Sequence, residues 1–192
     1  MNGFLQDVGG LLISVIFGIY IFMLILRLIF QILRADFYNP LSQAIVKITN
    51  PPLLPLRRII PGLWGIDLAS VVLILVLQAV ELLLLNLLQG QTLGGLNLLL
   101  STISIFLSNI IWIFLGAIFI RIILSWVSPY GMGQNPVVNL VYTVSEPILR
   151  PARRLLPPIA GLDFSPILAI VGLYILNMAL SHLMNALYHL LR

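Results

Sequence analysis

Thr49-Asn50-Pro51-Pro52-Leu53-Leu54-Pro55-Leu56-Arg57-Arg58-Ile59-Ile60-Pro61-Gly62-Leu63-Trp64-Gly65-Ile66-Asp67 decides the fold, because its grammar returns 96 positions later as Ser145 to Asp163. In both copies a hydroxyl residue leads to prolines 51 and 55 or 147 and 151. An arginine pair follows (Arg57 and Arg58, Arg153 and Arg154), then Pro61 or Pro157, Gly65 or Gly161, and Asp67 or Asp163. Upstream, Asn39-Pro40 lies over Asn135-Pro136 at the same offset, and no gap is needed in between. A slip of two residues further upstream brings Arg27 over Arg121 and Ser14 over Ser108. The chain is therefore read as a duplication, residues 1–96 and 97–192.

Each copy of this segment is flanked by apolar runs long enough to cross about 30 Å of hydrocarbon, which takes roughly 20 helical residues. The runs lie near 10–33, 68–89, 99–127 and 165–190. Composition agrees. Hydrophobic residues make up 60% of the chain and charged residues only 8%, with a mean hydropathy of +1.11. A soluble domain carries roughly 25% charged residues, so most of this surface must face lipid. The expected fold is an all-α membrane protein of four transmembrane helices, built as two helix–amphipathic basic loop–helix repeats. Two spans per unit make the repeats parallel, related by an axis along the membrane normal. They are expected to pack as a pseudo-twofold pair with their basic loops side by side.

Charge sets the orientation. Arg34, Lys47, Arg57, Arg58, Arg150, Arg153 and Arg154 fall in the two large loops, whereas Arg192 alone lies at the other ends. Short-loop arginine and lysine stay cytoplasmic, which places both termini on the periplasmic side of a bacterial inner membrane. Arg27 and Arg121, near the cytoplasmic ends of their spans, are expected to snorkel to the interface. The amino terminus lacks the basic start and the short apolar stretch of a cleavable signal peptide. A net charge of +4 is explained by these flanking residues, so nucleic acid is not an expected partner.

Within each loop, Asn-Pro and Asn50-Pro51 fit a helix N-cap followed by proline at the first helical position. Pro55 and Pro151 should interrupt any continuous helix, leaving short pieces in the interface. Apolar side chains interleaved with Arg57, Arg58, Arg150, Arg153 and Arg154 suit anionic head groups, or a docking surface for a membrane-protein partner or a second copy. Asp67 and Asp163 are placed to cap the following spans.

Inside the bilayer, Gln78, Glu81 and Asn86 share their repeat positions with Tyr174, Asn177 and His182, which suggests a polar seam facing protein. Glu81 is read as an interhelical clasp, partnered by Asn109 or Trp112, or else as a proton or cation site. His182 and His189 are two turns apart, too far to share a metal without other ligands. Cysteine is absent, and no carboxylate pair, nucleophile set, phosphate loop or dinucleotide fingerprint is present. No cofactor, metal or catalytic residue is expected, and the chain is read as not an enzyme.

The stretch Asp36-Phe37-Tyr38-Asn39-Pro40, the two Pro-x-Arg-Arg-x-x-Pro segments, Ser125-Trp126-Val127-Ser128-Pro129 and Gly161-Leu162-Asp163-Phe164-Ser165-Pro166 closely resemble the YggT family (also called YlmG) of bacterial and plastid membrane proteins. The resemblance covers essentially the whole chain, in the duplicated bacterial form. The first repeat departs from it, with Asp67-Leu68-Ala69-Ser70 in place of Asp-Phe-Ser-Pro. The resemblance implies diffuse roles: haem attachment to cytochrome b6 in plastids, cell division and nucleoid organisation, and osmotic-stress or potassium phenotypes. Two functions follow as expectations. One is a non-enzymatic scaffold or assembly factor that presents the stiffened basic loops. The other is a small transporter or channel component using the polar seam.

Overall fold

The computed structural model describes residues 2–63, 65–127, 135–157 and 163–191. They form six helices: α1 (Asn2–Ile32), α2 (Pro40–Ile59), α3 (Leu68–Leu88), α4 (Gly95–Val127), α5 (Pro136–Leu155) and α6 (Ser165–Leu191). Helices α1, α3, α4 and α6 are long and apolar enough to cross a membrane. At 1.5 Å per residue even the 21 residues of α3 reach across the hydrocarbon. The protein is thus a multi-pass membrane protein, with α2 and α5 as the amphipathic elements between its spans. Helix α1 starts well before the expected span, since Asn2–Gly10 holds no proline to stop it.

The connecting segments differ from the expectation in one respect. Both are single 20-residue helices, with Pro51, Pro52 and Pro55 inside α2 and Pro147 and Pro151 inside α5. Asn39 and Asn135 are the true N-caps, each accepting a backbone N–H two residues on, whereas Asn50 lies mid-helix. A proline costs the helix its own N–H and frees the carbonyl four residues earlier. For Pro52 that carbonyl belongs to Ile48, and the Tyr20 hydroxyl of α1 donates to it at 3.4 Å. At Pro52, packing against a neighbouring span therefore repairs part of what the proline removes. Both helices stop where a second rule applies, at Ile60 before Pro61 and Leu156 before Pro157, whose backbones leave the helical region.

Helix α2 buries Ser42, Ile45, Thr49 and Leu53, one stripe of its surface, while Lys47 and Arg58 stay exposed. Helix α5 buries Leu140, Val144, Ser145, Leu149 and Ala152. Within each repeat the two spans pack on each other and on the amphipathic helix between them. The main core joins Leu24, Ile25 and Leu28 of α1, Leu53, and Ile74 of α3 to Ile113, Ala117 and Val144 of the second repeat. A smaller cluster holds α4, α5 and α6 together around Ile118, Leu149 and Ala169. In lipid, close approach rather than water exclusion drives such packing, and buried Ala69, Ser70, Ala117 and Ala169 permit it.

The repeats are not arranged as the expected pseudo-twofold pair. Helices α3 and α4 form the main seam between repeats, with a smaller one between α1 and α4, whereas α6 packs on α4 and α5 and makes no comparable seam with α1. The reason is covalent. The short connection between Leu88 and Gly95 keeps α3 and α4 adjacent, and no such tie exists between α6 and α1. The two amphipathic helices do meet, through the Asn39 side chain and the Pro136 carbonyl.

Candidate functional site

After α2 ends, Leu63 and Ile66 exchange backbone hydrogen bonds across a tight turn. Gly65 takes φ 84° there, a left-handed conformation that favours glycine. The side chain of Gln31 donates to the Gly65 carbonyl at 3.2 Å. This turn delivers Asp67 beneath the last turn of α2. Arg57 donates from Nε to Asp67 Oδ2 at 3.0 Å and also from Nη2, and Ser70 Oγ donates to the same oxygen. Burial alone would raise the Asp67 carboxyl; the bonds from Arg57 and Ser70 outweigh it and hold the group below the ordinary carboxylate range. Asp67 stands at the N-cap position without capping the helix through its side chain.

The second repeat rebuilds this clamp with an added carboxylate. Arg153 Nε donates to Asp163 Oδ2 at 3.0 Å, while Arg153 Nη1 reaches Glu146 Oε1 at 3.2 Å. Arg121 Nη1 donates to Glu146 Oε2 at 2.9 Å and to Ser145 Oγ at 2.9 Å, with its guanidinium 4.3 Å from the centre of the Tyr142 ring. Burial raises the Glu146 carboxyl, but hydrogen bonding from Arg121 and the charge of Arg153 bring it below its usual range. Asp163 also accepts the Ser165 N–H at 2.9 Å and so does cap the start of α6.

The arginine pairs therefore split by role. Arg57, itself still exposed, and half-buried Arg153 are bonded to acidic partners. Arg58 and Arg154 are exposed and make no bond among the described residues, and Arg150 approaches Glu146 at 3.9 Å while staying exposed. Each intramembrane arginine reaches the amphipathic helix of its own repeat. Arg27 is 5% exposed and donates to Thr49 Oγ1 at 2.6 Å, as Arg121 does to Ser145. The hydroxyl one residue before Asn50 or Glu146 lies within reach of each guanidinium. The prolines fall into three settings: Pro40 and Pro136 open their helices, Pro51, Pro55, Pro147 and Pro151 lie within them, and Pro61 and Pro157 follow their ends. Gly161, with Ser128, Pro129 and Leu162, lies outside the described residues.

The intramembrane polar residues form two separate links rather than one seam. Gln78 donates to Glu81 at 2.8 Å and accepts from Asn109 of α4 at 3.4 Å, so Glu81 reaches α4 only through Gln78. In the second repeat Ser108 of α4 donates to Asn177 of α6 at 2.8 Å. His182 is exposed on α6 and joins neither link. Among the described residues no cluster of histidine and carboxylates is placed to hold a metal ion. The clamps had a signal in the sequence: an aspartate ten residues after the first arginine of each pair.

The CCB3/YggT family profile matches residues 8–88 and 100–184. The chain belongs to this family. It is 45% identical over 163 residues to an uncharacterized protein of Pseudomonas aeruginosa, covering 84% of this chain and 82% of that one. It is 37% identical over 179 residues to YggT of Escherichia coli, covering 91% and 90% of the two chains. A shorter likeness, 42% over 53 residues, links it to CCB3, a chloroplast protein of Arabidopsis thaliana named for cofactor assembly of complex C, covering 27% of this chain and 30% of that one. No solved structure matches the chain.

Proposed function

We propose that the protein is a non-enzymatic scaffold or assembly factor of the bacterial inner membrane. It holds α2 and α5 at the cytoplasmic surface and offers their outward arginines to a protein partner. One observation carries this reading. Both repeats commit the first arginine of the pair to an internal clamp and leave the second, Arg58 or Arg154, exposed and unbonded among the described residues. Membrane anchoring needs only basic charge near phosphate. A clamp that fixes the end of each amphipathic helix to the next span does more, because it gives the outward arginines a fixed position, and fixed positions favour recognition. The name of the Arabidopsis relative, which speaks of cofactor assembly, agrees with an assembly role. The transporter reading draws on buried Glu81, but Glu81 bonds to Gln78 of its own helix, and Gln78 in turn accepts from Asn109 of α4, a link of the kind that fastens helices together.

The test is photocrosslinking in native membranes from a photoreactive residue at Ile59 or Leu155. These repeat-equivalent sites beside the arginine pairs are 82% and 77% exposed. A discrete protein adduct that disappears in the Arg58→Ala, Arg154→Ala double variant supports the scaffold. Adducts with lipid or sister protomers alone overturn partner docking, and loss of ion flux in Glu81→Gln membranes would establish the transporter reading instead.

A further inference from the structure

We propose that the first repeat contains a binding site for a phosphoryl oxyanion, in the cleft between Arg27 and Arg57. The cleft measures about 540 Å³, and its polar lining comes from Arg27, Gln31, Arg57 and Asp67. It lies on the basic-loop side, between α1, α2 and the turn that leads to α3.

The argument rests on a difference between the repeats at one position. Asn50 and Glu146 are repeat equivalents, as are Thr49 and Ser145. Buried Arg27 and half-buried Arg121 both donate to the hydroxyl residue. Only Arg121 also has a carboxylate, Glu146, at 2.9 Å. Arg27 has no carboxylate within ion-pairing distance among the described residues, and of its nitrogens only Nη1 is hydrogen-bonded. The charges differ accordingly. In the second repeat Glu146 and Asp163 pair directly with Arg121 and Arg153, with the exposed Arg150 at 3.9 Å from Glu146. In the first, Arg27 and Arg57 face Asp67 alone, and that carboxylate is already taken by Arg57 and Ser70.

A guanidinium buried to this degree without a counter-ion is costly. Arg27, with N–H donors left unbonded among the described residues, lines a cleft large enough for a small anion. A phosphoryl group supplies what the asparagine does not: a negative charge and planar pairs of oxygens that match the guanidinium fork. One excess positive charge suits a phosphodiester or a phosphate monoanion. The membrane supplies the first as a lipid head group, and the cell interior supplies the second as free phosphate. This site does not depend on the scaffold reading, since it concerns Arg27 rather than the outward Arg58 and Arg154.

The experiment uses purified full-length protein, delipidated in neutral detergent, with two probes. Native mass spectrometry reads retention of phosphatidylglycerol against phosphatidylcholine. A thermal-shift titration reads the response to inorganic phosphate, with chloride at matched ionic strength as control. The wild type is expected to retain one anionic probe per chain. Asn50→Glu installs the sister repeat's carboxylate and is expected to weaken retention at least tenfold. Glu146→Asn opens the second repeat and is expected to raise the stoichiometry to two, which decides the matter even if Asn50→Glu fails to fold. Selective phosphatidylglycerol retention without a phosphate response assigns the site to lipid. A phosphate-specific shift alone assigns it to the free ion. Binding of neither probe, or binding unchanged in both variants, overturns the proposal.

Discussion

The Asn39 side-chain amide donates a 2.6 Å hydrogen bond to the Pro136 carbonyl, joining the start of α2 to the start of α5. The same side chain caps α2 through its oxygen, accepting the Leu41 N–H at 2.9 Å. Among the described residues, Asn135 performs only the second task, for Val137. Replacing an asparagine cap by alanine costs about 1 kcal/mol, and loss of the hydrogen bond to the half-buried Pro136 carbonyl adds on the order of 1 kcal/mol. Asn39→Ala is therefore expected to destabilise the protein more than Asn135→Ala, by about 1 kcal/mol. Thermal unfolding of both variants in detergent checks this, and equal losses would mean that the bond between repeats contributes nothing.

Leu53 and Leu149 are repeat equivalents and both are fully buried, at 0% and 1% exposure. If α2 and α5 are packed helices, Leu53→Ala and Leu149→Ala should each cost about 2–5 kcal/mol. Ile59→Ala, on the outer surface, should stay within about 0.5 kcal/mol. A broken segment floating among head groups would give small effects at all three. Unfolding midpoints in one detergent decide between these outcomes.

The leucine comparison bears on what the sequence made legible. The spans could be read because twenty apolar residues have one stable arrangement in lipid, and the repeat located α2 and α5 within a few residues. The continuity of α2 could not be read. The proline rule describes a helix on its own, whereas the carbonyl freed by Pro52 is met by Tyr20, 28 residues earlier in the chain. The destination of Arg27 was hidden for the same reason, because its hydroxyl partner Thr49 lies on another helix. The arrangement of the repeats was hidden too. Sequence identity between two units sets their folds and leaves open which faces meet.

The clamps predict a response to acid. Asp67 and Asp163 are both held below the ordinary carboxylate range. A group whose folded pKa is depressed stabilises the fold fully above its unfolded pKa, and that contribution is lost as pH falls through the folded value. Stability should therefore hold from about pH 7 down to the ordinary carboxylate range and decline below it. Asp67→Asn should remove more of this decline than Asp163→Asn. Arg57 loses its one carboxylate partner in the first case, whereas Arg153 keeps Glu146 in the second. Midpoints measured along a pH series for the three proteins test the order, and a larger effect from Asp163→Asn would contradict the clamp assignment.

Orientation rests on the seven basic residues gathered in the two large loops, and the absence of native cysteine makes it simple to measure. Lys47 on α2 and Thr92 between α3 and α4 are both exposed and lie at opposite ends of α3. Single variants Lys47→Cys and Thr92→Cys, probed with a membrane-impermeant thiol reagent on intact cells, should differ completely. Thr92→Cys is expected to label from outside, and Lys47→Cys only after the membrane is opened. The positive-inside bias acts most strongly on short loops close to the spans, and all seven residues belong to such loops. Reversal of the labelling pattern would place the outward Arg58 and Arg154 on the wrong side for a cytoplasmic partner. The scaffold reading would then need a periplasmic partner, although the internal clamps would stand unchanged.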